Sequence, residues 1–167
     1  LNKMESSIND HLQGKYYTVR QLSLLKQIEG MWISNNAHDS SKKCDFESKY
    51  FYSIKPLLNY ENENDFYING KYYVSMYESI FVVESIEYNE ENNVFIIGGL
   101  RNNGDEAGEY KDELKVTFEG DKLVIDRKPY EDYFKESCTK CNKNNSLKSF
   151  ILNGVFQGTQ KGYSLTN

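Results

Sequence analysis

The spacing of apolar and polar positions along this chain changes once, near Gly30. Before it, in "YTVRQLSLLKQIEG", Val19, Leu22, Leu25 and Ile28 recur at helical spacing. Thr18 and Gln21 make a T-x-x-Q capping box, Tyr17 and Leu22 stand at the staple positions, and Gly30 is a natural stop. After Trp32 the period falls to two. In "DFESKYFYSIK", Phe46, Ser48, Tyr50, Tyr52 and Ile54 alternate with Glu47, Lys49, Phe51, Ser53 and Lys55, which predicts a half-buried strand. "DFYINGKYYV" sets Asn69-Gly70 between two strand-like runs, the composition of a type I′ hairpin. "SIFVVESIEY" and "NVFIIGGL" predict a second hairpin, and "ELKVTFEGDKLVIDR" a third, turning at Gly120-Asp121. From Pro129 the spacing turns helical again. Tyr130, Tyr133, Phe134 and Cys138 fall at i, i+3, i+4 and i+8, predicting a short helix over Pro129–Glu136. "LKSFILNGVFQG" then reads as the last strand or hairpin.

Seven to nine short antiparallel strands about ten residues apart predict a mainly β fold, a barrel or a β-sandwich. An N-terminal helix precedes the strands and a short helix precedes the last one. The length of 167 residues fits a single domain spanning 1–167, with residues 1–15 as a loose arm. Aromatic residues are 14% of the chain and mostly Tyr, which agrees with the β reading.

The formal net charge is −5. No basic stripe is visible, so nucleic acid is not the expected partner. No apolar run is long enough to predict a membrane-spanning helix.

Gly30-Met31-Trp32, entered from a helix and opening the first strand, resembles the first motif of lipocalins and related calycin barrels. The chain length is similar too. The resemblance implies an antiparallel barrel whose end is filled by Trp32, with Gly30 allowing the tight entry. It also implies that a basic residue of the last strand covers the Trp ring; Lys161 is the positional candidate and Arg127 the second. Two departures from the pattern stand: no second lipocalin motif is found, and the second helix lies before the last strand rather than after it.

Candidate chemistry is sparse. Cys44, Cys138 and Cys141 are the three cysteines, the last two in "CTKC". The C-x-x-C spacing suits half a zinc site or a redox pair, but a second ligand pair and a thioredoxin-like βαβ pattern are missing. A structural disulfide is the expectation, Cys138–Cys141 or one of them with Cys44, and with it an exported chain, periplasmic or secreted; the alternative is three free thiols in a cytoplasmic chain. His38-Asp39 lacks a nucleophile, and "GGLRNNG" lacks the Lys-Ser/Thr of a phosphate loop. No catalytic constellation emerges, so the reading is non-enzymatic, with no cofactor and no metal.

Two binding functions follow. The acidic, Tyr-bearing loops predict contact with another protein, a basic one by charge, as in an inhibitor or a toxin-neutralising immunity protein. The residues are Tyr60, Glu61, Glu63 and Asp65 in one loop and Asp105, Glu106, Glu109 and Tyr110 in the other. The alternative is a barrel that holds a small apolar ligand, lined by Tyr50, Tyr52, Tyr72, Met76, Phe81, Phe95 and Ile97.

Overall fold

The computed structural model describes residues 15–37, 44–45, 47–61, 66–127 and 134–141. Among these residues one helix, α1 (Val19–Ile28), leads into eight strands: β1 (Gly30–Ser34), β2 (Phe51–Pro56), β3 (Tyr72–Met76), β4 (Ser79–Asn89), β5 (Val94–Asn102), β6 (Glu109–Glu119), β7 (Lys122–Arg127) and β8 (Phe134–Lys140). Each strand pairs antiparallel with the next, and β8 pairs back onto β1, so the sheet closes into a barrel in chain order.

The helix starts as its sequence dictates. The Thr18 side chain accepts from the Gln21 amide at 3.1 Å, and Gln21 accepts from the Thr18 amide at 2.8 Å. Its buried face is Leu22, Leu24, Leu25 and Ile28. Val19, expected on that face, is 63% exposed. The apolar face joins the barrel interior at the end where β1 begins, in one cluster with Trp32, Tyr52, Tyr72, Phe81, Phe95, Leu114, Val116 and Ile125. Period-two alternation in the strands puts those side chains inside.

Gly30 and Trp32 form the joint between helix and barrel. Trp32 donates from Nε1 to the Ile28 carbonyl at 3.1 Å, satisfying an oxygen the helix end leaves open. Gly30 has φ +147°, a conformation L side chains rarely adopt, and a Cβ there would lie 3.0 Å from Lys140 Cε. Lys140 itself sits opposite Trp32 in register, its Nζ 5.7 Å from the ring centroid. The cation over the Trp ring is thus Lys140, on the strand that closes the barrel. Lys161 lies outside the described residues.

Three expectations are corrected. Phe134–Lys140 is strand β8, not the end of a helix; Pro129–Tyr133 and the run 147–158 lie outside the described residues. A spacing of four satisfies a strand as well as a helix, since strand positions four apart share parity. The strand predicted over Phe46–Lys55 begins only at Phe51, because Asp45 and Ser48 turn the chain beforehand: Asp45 Oδ1 accepts from the Glu47 amide at 3.0 Å and Ser48 Oγ from the Tyr50 amide at 3.3 Å. Finally, Asn69-Gly70 does not join two strands, since β3 pairs with β2. Gly70 alone of the two has positive φ, +94°, and the Lys71 amide donates to the Ile68 carbonyl at 3.1 Å. A type I′ turn needs both central residues positive. Asn69 is instead committed to Tyr60, bonding its N–H and its carbonyl, each at 2.8 Å.

The described residues between β2 and β3, 57–61 and 66–71, fold back over the outside of β3–β5. Leu57, Tyr60, Phe66 and Tyr67 pack there on Tyr73, Ile80, Val82 and Leu100. A smaller outer cluster joins Met31 and Phe51 to Ile33, Cys44 and Cys141. Strands β2 and β3 are therefore buried on both faces, which is why simple alternation describes them poorly.

Of the three disulfide pairings left open, the structure holds Cys44–Cys141, with Cα atoms 6.1 Å apart across 97 residues of sequence. Cys138 is free and fully buried. Alternation explains the choice: Cys138 points into the barrel, so Cys141, three residues on, faces the outer cluster. The same geometry keeps the two thiols of "CTKC" from meeting at one metal or in one redox pair. No helix among the described residues is long and apolar enough to cross a membrane.

Candidate functional site: the barrel end opposite the helix

In an antiparallel barrel closed in chain order, successive connections alternate between its two ends. The β1–β2, β3–β4, β5–β6 and β7–β8 connections share one end; the helix and the β2–β3, β4–β5 and β6–β7 connections share the other. The two loops expected to meet a partner are therefore at opposite ends, and the structure does not bring them together.

In the β2–β3 loop, Tyr60 is buried at 7% exposure, packed edge-on against Tyr67 with centroids 5.5 Å apart. This corrects its assignment to an exposed contact surface. Glu61 is exposed; Glu63 and Asp65 lie outside the described residues, as do His11, His38, Asp39 and Phe46.

The β5–β6 hairpin differs. Asp105, Glu106 and Glu109 are exposed at its tip, on a backbone fixed from several sides. Asn102 Oδ1 accepts from the Gly104 amide at 2.9 Å, Asp105 Oδ1 accepts from the Ala107 amide at 3.0 Å, and Gly108 N–H donates to the Asp105 carbonyl at 3.2 Å. Asn103 donates to the Tyr110 hydroxyl at 2.9 Å and accepts from Ser79 Oγ at 2.7 Å, which ties this hairpin to the β3–β4 turn. Tyr110 is half-buried and faces inward, in register with Arg101.

Behind the hairpin lies an ionic layer that the sequence reading missed. Arg101 is buried at 5% exposure. Its Nε donates to Asp112 Oδ2, and its Nη1 donates to Ser79 Oγ at 3.0 Å and to Met76 Sδ at 3.4 Å. The guanidinium stands 5.5 Å from the Phe81 ring centroid. Elsewhere in the interior, on the two strands that flank β1, Tyr52 donates to Glu136 Oε1 at 2.6 Å, and Glu136 is 2% exposed. A signal for this layer exists in the sequence. Arg101 continues the inward series Phe95, Ile97, Gly99, and Asp112 precedes Leu114 and Val116 at the same parity. Charges at inward positions of apolar strands mark a deliberate polar layer.

Six of the seven residues expected to line a cavity face the interior: Tyr52, Tyr72, Met76, Phe81, Phe95 and Ile97. Tyr50 does not; it lies in the turn before β2, with Lys49 Nζ 5.2 Å from its ring. The free thiol of Cys138 is pushed up to about 12, chiefly by burial and then by the Glu136 charge, so it is not a poised nucleophile.

No family model, curated protein or solved structure matches this chain. What the geometry defines is a closed eight-stranded antiparallel barrel, consistent with a calycin-like one, with one helix before β1 among the described residues and a Cys44–Cys141 disulfide.

Proposed function

We propose that this chain is a non-enzymatic protein-interaction module that meets a basic partner with its β5–β6 hairpin, as an inhibitor or toxin-neutralising immunity protein would. The observation that carries the reading is the rigid display of Asp105, Glu106 and Glu109. A loop already ordered loses little entropy on binding, and exposed acids steer a basic surface into place. The β2–β3 loop, at the far end, takes no part.

The test is native mass spectrometry of the protein recovered gently from its source, followed by binding measurements with any stoichiometric protein found. Reversing Asp105, Glu106 and Glu109 together to Lys should weaken that complex at least tenfold and reduce its salt dependence. Unchanged affinity would remove the hairpin from the interface.

The second reading, a carrier of a small apolar molecule, draws on the inward placement of six candidate lining residues. Those side chains pack in one continuous cluster with the helix, which favours the first reading. A small-molecule adduct lost on denaturation would reverse that order.

A further inference from the structure

All three cysteines meet at one seam of the barrel. β1 and β8 join through three register pairs: Trp32 with Lys140, Ile33 with Thr139, and Ser34 with Cys138. The β4–β5 and β5–β6 interfaces have nine each. Beyond the three pairs, the Asn35 amide donates to the Ser137 carbonyl at 2.8 Å at one end of the seam. At the other, the Cys141 amide donates to the Met31 carbonyl at 2.8 Å. The disulfide grips Cys141, the donor of that last bond, and ties it to Cys44 in the β1–β2 connection, over Met31 and Phe51. The covalent link thus runs across the outside of the shortest seam. Cys138, fully buried, lies within the seam itself.

We propose that Cys44–Cys141 is a redox latch on the β1–β8 seam: reducing it lets this seam open locally and uncovers Cys138, while β4 to β7 stay paired. A dithiol supplies the two electrons and two protons. The S–S bond breaks, both sulfurs leave as thiols, and the dithiol becomes a disulfide. Local opening is drawn from the least-supported pairings, and a cross-link spanning the opening strands removes the open conformations while it is intact. In an oxidising compartment the barrel is held shut. In a reducing one its interior becomes reachable from the side. The inference is independent of what the hairpin binds.

Two measurements on the full chain test it. In C44S/C141S, Cys138 is the sole thiol, and a maleimide reports its exposure. It should react at least tenfold faster than in the oxidised native protein, at a rate nearly independent of low urea. In the native sequence, hydrogen exchange before and after dithiol reduction should quicken at the Asn35 and Cys141 amides and leave those of Phe95 and Ile97 unchanged. The proposal is overturned if Cys138 stays unreactive, or if its labelling follows urea as steeply as global unfolding does. It also fails if reduction unfolds the whole chain or quickens exchange in β5 equally, because the bond would then support the entire fold.

Discussion

The hydroxyl of Tyr17 stands between the Tyr72 amide and the Val83 carbonyl. It accepts from the first at 2.7 Å and donates to the second at 2.8 Å. Tyr73 and Val82 are the last residues that β3 and β4 pair directly at this end, and β4 bulges just beyond, between Val83 and Ser85. A side chain from the helix entry thus bridges two strands where their own ladder parts. Tyr17→Phe keeps the ring contact with Tyr72, whose centroid is 5.9 Å away, but leaves a buried donor and a buried acceptor without a partner. Each such loss costs about 1–3 kcal/mol. We expect urea unfolding to show a loss of about 2–4 kcal/mol with an unchanged m-value. A loss under about 0.5 kcal/mol would mean that the bridge does not matter to stability.

Gly99 marks another close approach. A Cβ there would lie 2.0 Å from the Val82 carbonyl oxygen and 2.9 Å from the Phe81 ring. Gly99→Ala should cost about 3 kcal/mol or more, because strand β4 must shift to admit it. Adding Phe81→Leu should not rescue the variant, since the nearer obstacle is backbone. Thermal unfolding of the single and double variants checks both statements, and a neutral Gly99→Ala would refute the packing described.

The parts of this fold legible in sequence are those where a local rule and the tertiary structure agree. Thr18 and Gln21 cap a real helix, and Gly120-Asp121 turns a real hairpin. Gly30 and Trp32 stand at the joint of helix and barrel, where the lipocalin resemblance put them. The rest turns on context. Asn69-Gly70 carries hairpin composition, yet Asn69 serves Tyr60 and the neighbouring run packs on the barrel's outside. Phe134 and Cys138 fit a helix and a strand equally well by spacing, and only closure against β1 decides. The two acidic loops share a composition, which carries no information on which barrel end a connection occupies. Arg101, Asp112 and Glu136 are charged side chains at inward parity, and composition alone does not separate them from exposed charges.

That ionic layer makes a prediction of its own. Asp112→Asn weakens the partner of a buried guanidinium, and Asp112→Leu removes it, leaving Arg101 with Ser79 and Met76. Breaking a fully buried pair from one side costs about 3–5 kcal/mol, and somewhat less here because Asp112 is half-buried, whereas replacing both members with apolar groups is often neutral. We expect Asp112→Leu and Arg101→Met each to destabilise strongly, and the double variant to recover at least half of the summed loss. A double-mutant cycle in urea measures the coupling. Additive losses would show that the two residues act separately.

Stability should also fall on the alkaline side. Burial raises the phenols of Tyr17, Tyr72 and Tyr73 well above their ordinary 10.0, helped at Tyr72 by the Glu29 carboxylate that accepts its hydroxyl at 2.7 Å. The Cys138 thiol moves in the same direction, from 9.0 to about 12. All four groups hold their protons when folded and release them more easily when unfolded. Their contribution is fully present below about pH 9, the lowest of the unfolded values, and is lost as pH rises towards the folded ones. Above pH 10 each group removes about 1.4 kcal/mol per pH unit. Urea midpoints should therefore be level from pH 7 to 8.5 and drop steeply beyond pH 10. Tyrosinate absorbance from these three residues should appear only together with unfolding. Cys138→Ala should delay the onset by removing the group that starts to titrate first. A midpoint that stays flat to pH 11 would show that these side chains are not held neutral by the fold.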